Sequence, residues 1–176
     1  YSPGYRPPAA ARMLAYTGLA VYESAVPGMP EYNSLKYEFP GLDLPSIASG
    51  KPYHWPTAIS TAYASMFKHF YPHISANDAY KISTLESKFL DEFSTHAAPD
   101  VIERSRQFGF EVAEAVYAYS ETDTYGHNAY ENPQPASYQP PVTGPNGEKL
   151  WQPTFPDYGQ GLFPYWGKVR PFAMNA

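Results

Sequence analysis

The chain contains no cysteine. Disulfides, thiol nucleophiles and thiolate metal sites are therefore excluded, and the redox compartment is left open. Charge is scarce: 16% of the 176 residues are Asp, Glu, Lys or Arg, with a net balance of −5. The twelve basic residues are scattered, which removes the clustered phosphate contacts of a nucleic-acid binder, so no nucleic-acid partner is expected. The longest apolar stretch, beginning at Pro8, approaches bilayer length, but Arg12 and Glu23 interrupt it and no membrane span is expected. No G-x-S-x-G, no glycine-rich phosphate loop and no H-E-x-x-H occurs. There is neither a signal peptide nor an initiator Met, and the chain reads as a fragment or processed product.

What is present is apolar and aromatic. Hydrophobic residues make up 43% and aromatic residues 17%, including 17 tyrosines, which supplies a real core and argues against wholesale disorder. Twenty prolines and twelve glycines predict long irregular connections. The pattern divides the chain into a helical N-terminal domain, 1–122, and an irregular Pro-, Tyr- and Trp-rich arm, 123–176.

A first helix is predicted from Pro8 to Val26, with proline in its opening turn and Pro27-Gly28 ending it. It is apolar nearly all round, which predicts burial on most sides. Its small residues, Gly18 among them, should let neighbouring helices approach closely, and we expect the others to pack around this one. Residues Tyr1 to Pro7 read as an extended lead. The loop from Gly28 to Tyr53 is long, and Tyr32, Leu35, Tyr37, Phe39, Leu42 and Leu44 give it the means to pin itself down.

A second helix is predicted from Pro56 to Tyr71, with Ala58, Ile59, Ala62, Tyr63, Met66, Phe67 and Phe70 on its apolar face. Ser75 should cap a third, with Asp78 three residues on and a stripe of Ile82, Leu85, Phe89 and Phe93. Pro99 and Asp100 open a fourth that reaches about Ser120, on a stripe of Val101, Phe108, Val112, Ala115, Val116 and Tyr119. After Asp123 no periodicity remains, and nine of the twenty prolines fall between Pro133 and Pro171. That segment reads as an aromatic arm laid over the bundle, without helices, with a turn at Asn146-Gly147 inside a small hairpin between Val142 and Trp151.

Candidate chemistry is sparse. His69 and His73 have helical ligand spacing, but Pro72 between them should break the helix. Asp91-Glu92 and the pair Glu111 and Glu114 read as solvated surface charge, without the arrangement of a glycosidase. Arg12 and Glu23 lie eleven residues apart, close to three helical turns, so both project from one face of the buried helix. Buried charges need partners. These two either pair with a neighbouring helix or arm, or face a cavity shared with polypeptide outside the chain. Lys168 and Arg170 form a compact basic pair near the end. No residue is assigned as catalytic, cofactor-binding or metal-binding; Arg12, Glu23, Trp166, Lys168 and Arg170 are the candidates for a cleft or interface.

Three stretches carry a resemblance. One is Ser2-Pro3-Gly4-Tyr5-Arg6-Pro7-Pro8-Ala9-Ala10-Ala11-Arg12, running into the long helix with Ala20-Val21-Tyr22-Glu23. The second is Trp55-Pro56-Thr57-Ala58. The third is Trp151-Gln152-Pro153-Thr154-Phe155-Pro156, followed by Pro164-Tyr165-Trp166-Gly167-Lys168-Val169-Arg170-Pro171-Phe172. Together they resemble the N-terminal region of bacterial proteins related to vanadium-dependent haloperoxidases and type 2 phosphatidic acid phosphatases. The resemblance implies an active site of convergent cations and a histidine in K-x6-R-P, P-S-G-H and S-R-x5-H-x3-D segments, which clamp vanadate or phosphate. This chain has no P-S-G-H and no S-R-x5-H, and Phe163 stands where the lysine of the first motif belongs, seven residues before Arg170.

The reading is an all-α fold of about four helices around a central small-residue helix, plus the arm. It makes the chain the scaffold of a haloperoxidase-like or phosphatase-like enzyme, inactive alone and binding no cofactor itself. Vanadate or phosphate belongs only to the complete protein. The expected partner is a C-terminal catalytic segment of the same precursor, as a continuation or as a second chain, in a periplasmic or secreted setting. The rival is a non-catalytic secreted helical module whose aromatic residues bind glycan or peptide.

Overall fold

The computed structural model describes residues 6–131, 134–135 and 137–172. The lead from Ser2 to Tyr5, Pro133 and the terminal Met174-Asn175-Ala176 lie outside the described residues. Four long helices form the body: α1 (Pro7–Ala25), α2 (Trp55–Phe70), α3 (Ala76–Phe93) and α4 (Pro99–Glu121). The fold is all-α. Among the described residues the only β pairing is an isolated antiparallel bridge, Thr143 with Lys149, closed around Gly147 at φ +80°. That bridge is the small hairpin expected at Asn146-Gly147.

Local chemistry accounts for the boundaries. Pro7 and Pro8, Pro56 and Pro99 each occupy a first turn, where the missing amide hydrogen costs nothing. Ser75 caps α3, its Oγ accepting from the Asp78 amide at 3.1 Å. Ser105 of α4 donates to its own Val101 carbonyl at 2.7 Å and accepts from the His54 amide at 2.8 Å, which ties the start of α2 to α4.

The core lies where α1, α2 and α4 meet. Met13, Tyr16, Leu19 and Ala20 from α1 pack with Ala58, Ala62, Met66 and Phe70 from α2 and with Phe108, Val112, Ala113, Val116 and Tyr119 from α4. A Cβ at Gly109 would stand 2.1 Å from the Ala58 carbonyl oxygen, so only glycine permits the approach of α4 to α2.

The hub is α2, which packs against α1, α3 and α4, and not α1. On α1, Leu14 is 53% exposed and Gly18 has open space beside it. Small residues such as Ala11 and Gly18 present so little apolar area that an exposed face made of them costs little. An absence of polar residues was therefore no guarantee of burial. On α3 no residue is buried, although its apolar stripe faces α2.

The loop between α1 and α2 is anchored. Phe39 and Leu42 enter the core, and the Tyr22 hydroxyl donates to the Asn33 carbonyl at 2.7 Å. Beyond α4 the chain is not wholly irregular. A short helix α5 (Thr124–His127) runs into a 3-10 turn at Asn128–Glu131, and another 3-10 turn spans Trp166–Lys168. Phe172 packs on Tyr16 and Phe39, with ring centroids at 5.2 and 4.9 Å, and Phe163 packs with Ala9 and Ala129.

Candidate functional site

The densest polar construction is at the C-terminal end of α4. The last carbonyls of a helix lack intrahelical partners and carry its partial negative charge, so cations are favourable there. Two arrive. From α1, Arg12 donates through Nη2 to the Ser120 carbonyl at 2.7 Å. From the arm, Arg170 donates through Nη2 to the Tyr119 carbonyl at 2.9 Å and to the Tyr16 hydroxyl at 3.0 Å, and through Nη1 to Thr122 Oγ1 at 2.8 Å. Its guanidinium also lies 4.0 Å from the centre of the Tyr119 ring.

Arg12 is also half of a buried ion pair. Its Nε lies 3.4 Å from Asp123 Oδ2, and the two side chains are 7% and 4% exposed. Burial pushes the guanidinium below its ordinary value, and the Tyr16 and Asp123 oxygens pull it back. Asp123 caps α5, Oδ1 accepting from the Gly126 amide at 3.2 Å. Gly126 closes the pair off: a Cβ there would fall 2.1 Å from Asp123 Oδ2 and 2.4 Å from Arg12 Nε. Beside them, His127 is held below the usual imidazole value, chiefly by burial, with the Arg12 charge adding to the effect. Arg12 Nε, Asp123 Oδ2, Ser120 Oγ and His127 Nδ1 are buried without a hydrogen-bond partner among the described residues.

The remaining candidates sit elsewhere. Glu23 is 3% exposed and accepts from Ser34 Oγ at 2.8 Å and the Leu35 amide at 2.7 Å. It anchors the crossover loop, far along α1 from Arg12. Lys168 is exposed, with Nζ 5.2 and 5.4 Å from the centres of the Tyr125 and Tyr165 rings. Trp166 stands beside Phe163 and lines a small cavity of about 170 Å³ with Tyr125, Asn128 and Tyr165. A larger cavity of about 600 Å³ opens in the arm between Tyr138, Trp151, Gln160 and Leu162. The structure thus brings Arg12 and Arg170 to one helix end and leaves Glu23 apart.

His69 pairs with Glu114 of α4 and stacks on Tyr117, ring centroids 4.2 Å apart. Among the described residues no group of three His, Asp or Glu is arranged to hold a metal ion. No helix is long and apolar enough to cross a membrane among the described residues. Asp123 and Gly126 were not singled out from the sequence. The Asp123-Thr124-Tyr125-Gly126 run carried a readable signal, because Asp is a preferred helix cap.

These cations do not fit an oxyanion such as vanadate. Arg170 directs both terminal nitrogens at protein oxygens, Arg12 is neutralised by Asp123, and Phe163 is buried in apolar contacts where a lysine would be needed. An anion beside Arg12 would also meet the Asp123 carboxylate.

Comparison with solved structures gives the architecture a relative. The chain superposes on a bacterial vanadium-dependent iodoperoxidase with a TM-score of 0.69 and 25% identity, over 100% of this chain and 39% of that one. The chain has a haloperoxidase-related fold. No protein-family model and no curated protein sequence matches it. The haloperoxidase-related region therefore spans 39% of the length of the iodoperoxidase it resembles, and all of its described helices fall within that span.

Proposed function

We propose that the chain is the N-terminal scaffold of a haloperoxidase-like or acid-phosphatase-like enzyme, with the oxyanion-binding motifs on polypeptide outside it. One observation carries this reading: the whole chain superposes on part of an iodoperoxidase, while Arg12 and Arg170 are consumed in capping α4. In this reading the three-helix core and the arm form one wall of the enzyme. The catalytic segment supplies the convergent cations and the histidine, as a continuation of the polypeptide or as a cleaved companion. Vanadate or phosphate would be held only there, in a periplasmic or secreted protein.

The test is activity of the pure 176-residue chain. Neither p-nitrophenyl phosphate nor bromide with peroxide should be turned over above a buffer blank; robust turnover by the pure chain would refute the scaffold reading. Intact mass spectrometry of the natural product should find polypeptide bearing the oxyanion motifs joined to this chain or travelling with it.

The rival, a glycan- or peptide-binding module, draws on the arm cavity of about 600 Å³, whose Trp151 is 57% exposed and which also exposes Gln160. A saturable quench of tryptophan fluorescence by an oligosaccharide, absent in Trp151→Ala, would favour it.

A further inference from the structure

One open feature is used by neither the cationic cap nor the arm. Between α2 and α3 runs an apolar trough of about 570 Å³. Its floor on α2 is made of small residues at one-turn intervals, Pro56, Ser60 and Ala64. Beside that floor stands an aromatic row, Tyr63 stacked on Phe67 at 5.1 Å; α3 contributes another, Phe89 stacked on Phe93 at 5.9 Å, toward the start of α2, where Phe93 meets His54. Leu85 continues the α3 wall and is 54% exposed, Phe89 40% and Tyr63 46%. At one end Lys68 and Glu86 pair across the trough at 2.5 Å, which leaves its rim without an unbalanced charge from either.

We propose that this trough is the seat of an amphipathic helix from the catalytic portion of the same enzyme. The inference rests on the scaffold reading above and names the surface on which that portion docks. Three observations support a helix from that source. The lined span, residues 56–67 on one side and 82–93 on the other, is about 16 Å long, the length of an eleven-residue, three-turn helix. A floor of small residues between two rows of large ones admits ridges spaced i, i+3, i+4 and i+7, as in helix-in-groove recognition. Finally, more than half of the iodoperoxidase chain lies outside the part matched here, so such an enzyme has polypeptide to place on this face. The occupant should carry Leu, Ile or Phe at that spacing and a polar outer face.

The experiment uses the full-length gene product. Phe89 is replaced by p-benzoylphenylalanine, with the same probe at Tyr37, which is 81% exposed and outside the trough, as reference. After irradiation and digestion, adducts are mapped by mass spectrometry. The expected result is an adduct from Phe89, and not from Tyr37, to a helical peptide of the segment bearing the oxyanion motifs. A Phe89 adduct to a second copy of this chain, or no adduct above the Tyr37 level, overturns the proposal.

In parallel, the double variant L85E/F89E, tested with the two portions as separate polypeptides, should weaken their association at least tenfold. The circular dichroism of the 176-residue chain should stay unchanged, because both positions are exposed in it. Unaltered association overturns the proposal. Its failure is separable from failure of the scaffold reading: if the intact mass includes the catalytic segment but the trough does not contact it, only the docking surface is wrong. If no such segment accompanies the chain, both fall.

Discussion

The two sides of α2 meet their neighbours in opposite ways. Toward α4 and α1, Ala58, Ala62 and Met66 are fully buried, and Gly109 allows α4 to come in until backbone nearly touches backbone. Toward α3, large side chains from both helices line the contact, no residue of α3 is buried, and a trough remains. Both interfaces are apolar, so hydrophobicity does not separate them. Size does: small residues close one contact, whereas aromatic rows leave the other with room for a further element. The closed side supports the chain on its own, and the open side is where more polypeptide would add stability.

If that contrast is correct, the largest losses come from the closed side. Replacing Arg12 with Met leaves the Asp123 carboxylate, 4% exposed, with the Gly126 amide as its one hydrogen-bond partner among the described residues, and removes one cap of α4. Breaking a buried pair from one side costs about 3–5 kcal/mol. Urea denaturation of R12M should therefore show a much lower midpoint, with Arg12→Met/Asp123→Asn recovering part of the loss in a double-mutant cycle. A midpoint within error of the parent would mean that the pair is solvated and that the end of α4 belongs with the open side.

Next in size is Gly109→Ala. The added methyl would overlap the Ala58 carbonyl, a backbone atom that cannot rotate away, so α2 and α4 must separate. A cost of about 1–3 kcal/mol is expected, as for other overpacked sites. Thermal unfolding reads it directly, and an unchanged melting temperature would show that the two helices can slide apart freely.

The helices and their stops were legible in the sequence because proline, Ser75 and apolar spacing act locally. The all-α class followed from that, and the resemblance carried by short Trp- and Pro-containing stretches anticipated the haloperoxidase-related fold. Which helix is the hub was not legible. It depends on which small residues face which, and Gly109 and Gly18 look alike in sequence although one touches backbone and the other faces open space. The partner of Arg12 was hidden for a similar reason. Asp123 lies 111 positions away, and only the return of the chain through α5 brings it to α1. The half-open state of α3 was invisible as well, since a stripe of Ile82, Leu85, Phe89 and Phe93 reads the same whether or not its far side is covered.

Gly18→Leu has the smallest effect and the sharpest sign. Small residues on α1 had suggested a crowded face, on which leucine would overfill the contact at about 1–3 kcal/mol. In the structure nothing lies within 4 Å of the position a Cβ would take, and Gly18 is exposed. No overpacking term then applies, and what remains is backbone entropy: leucine is a better helix former than glycine by up to about 0.8 kcal/mol. The isolated G18L chain should melt at the parent temperature or slightly above it. A lower melting temperature would mean that α1 is covered on this face too, either by a second copy or by a rearranged arm, and the division of the molecule into one closed and one open side would have to be redrawn around α1.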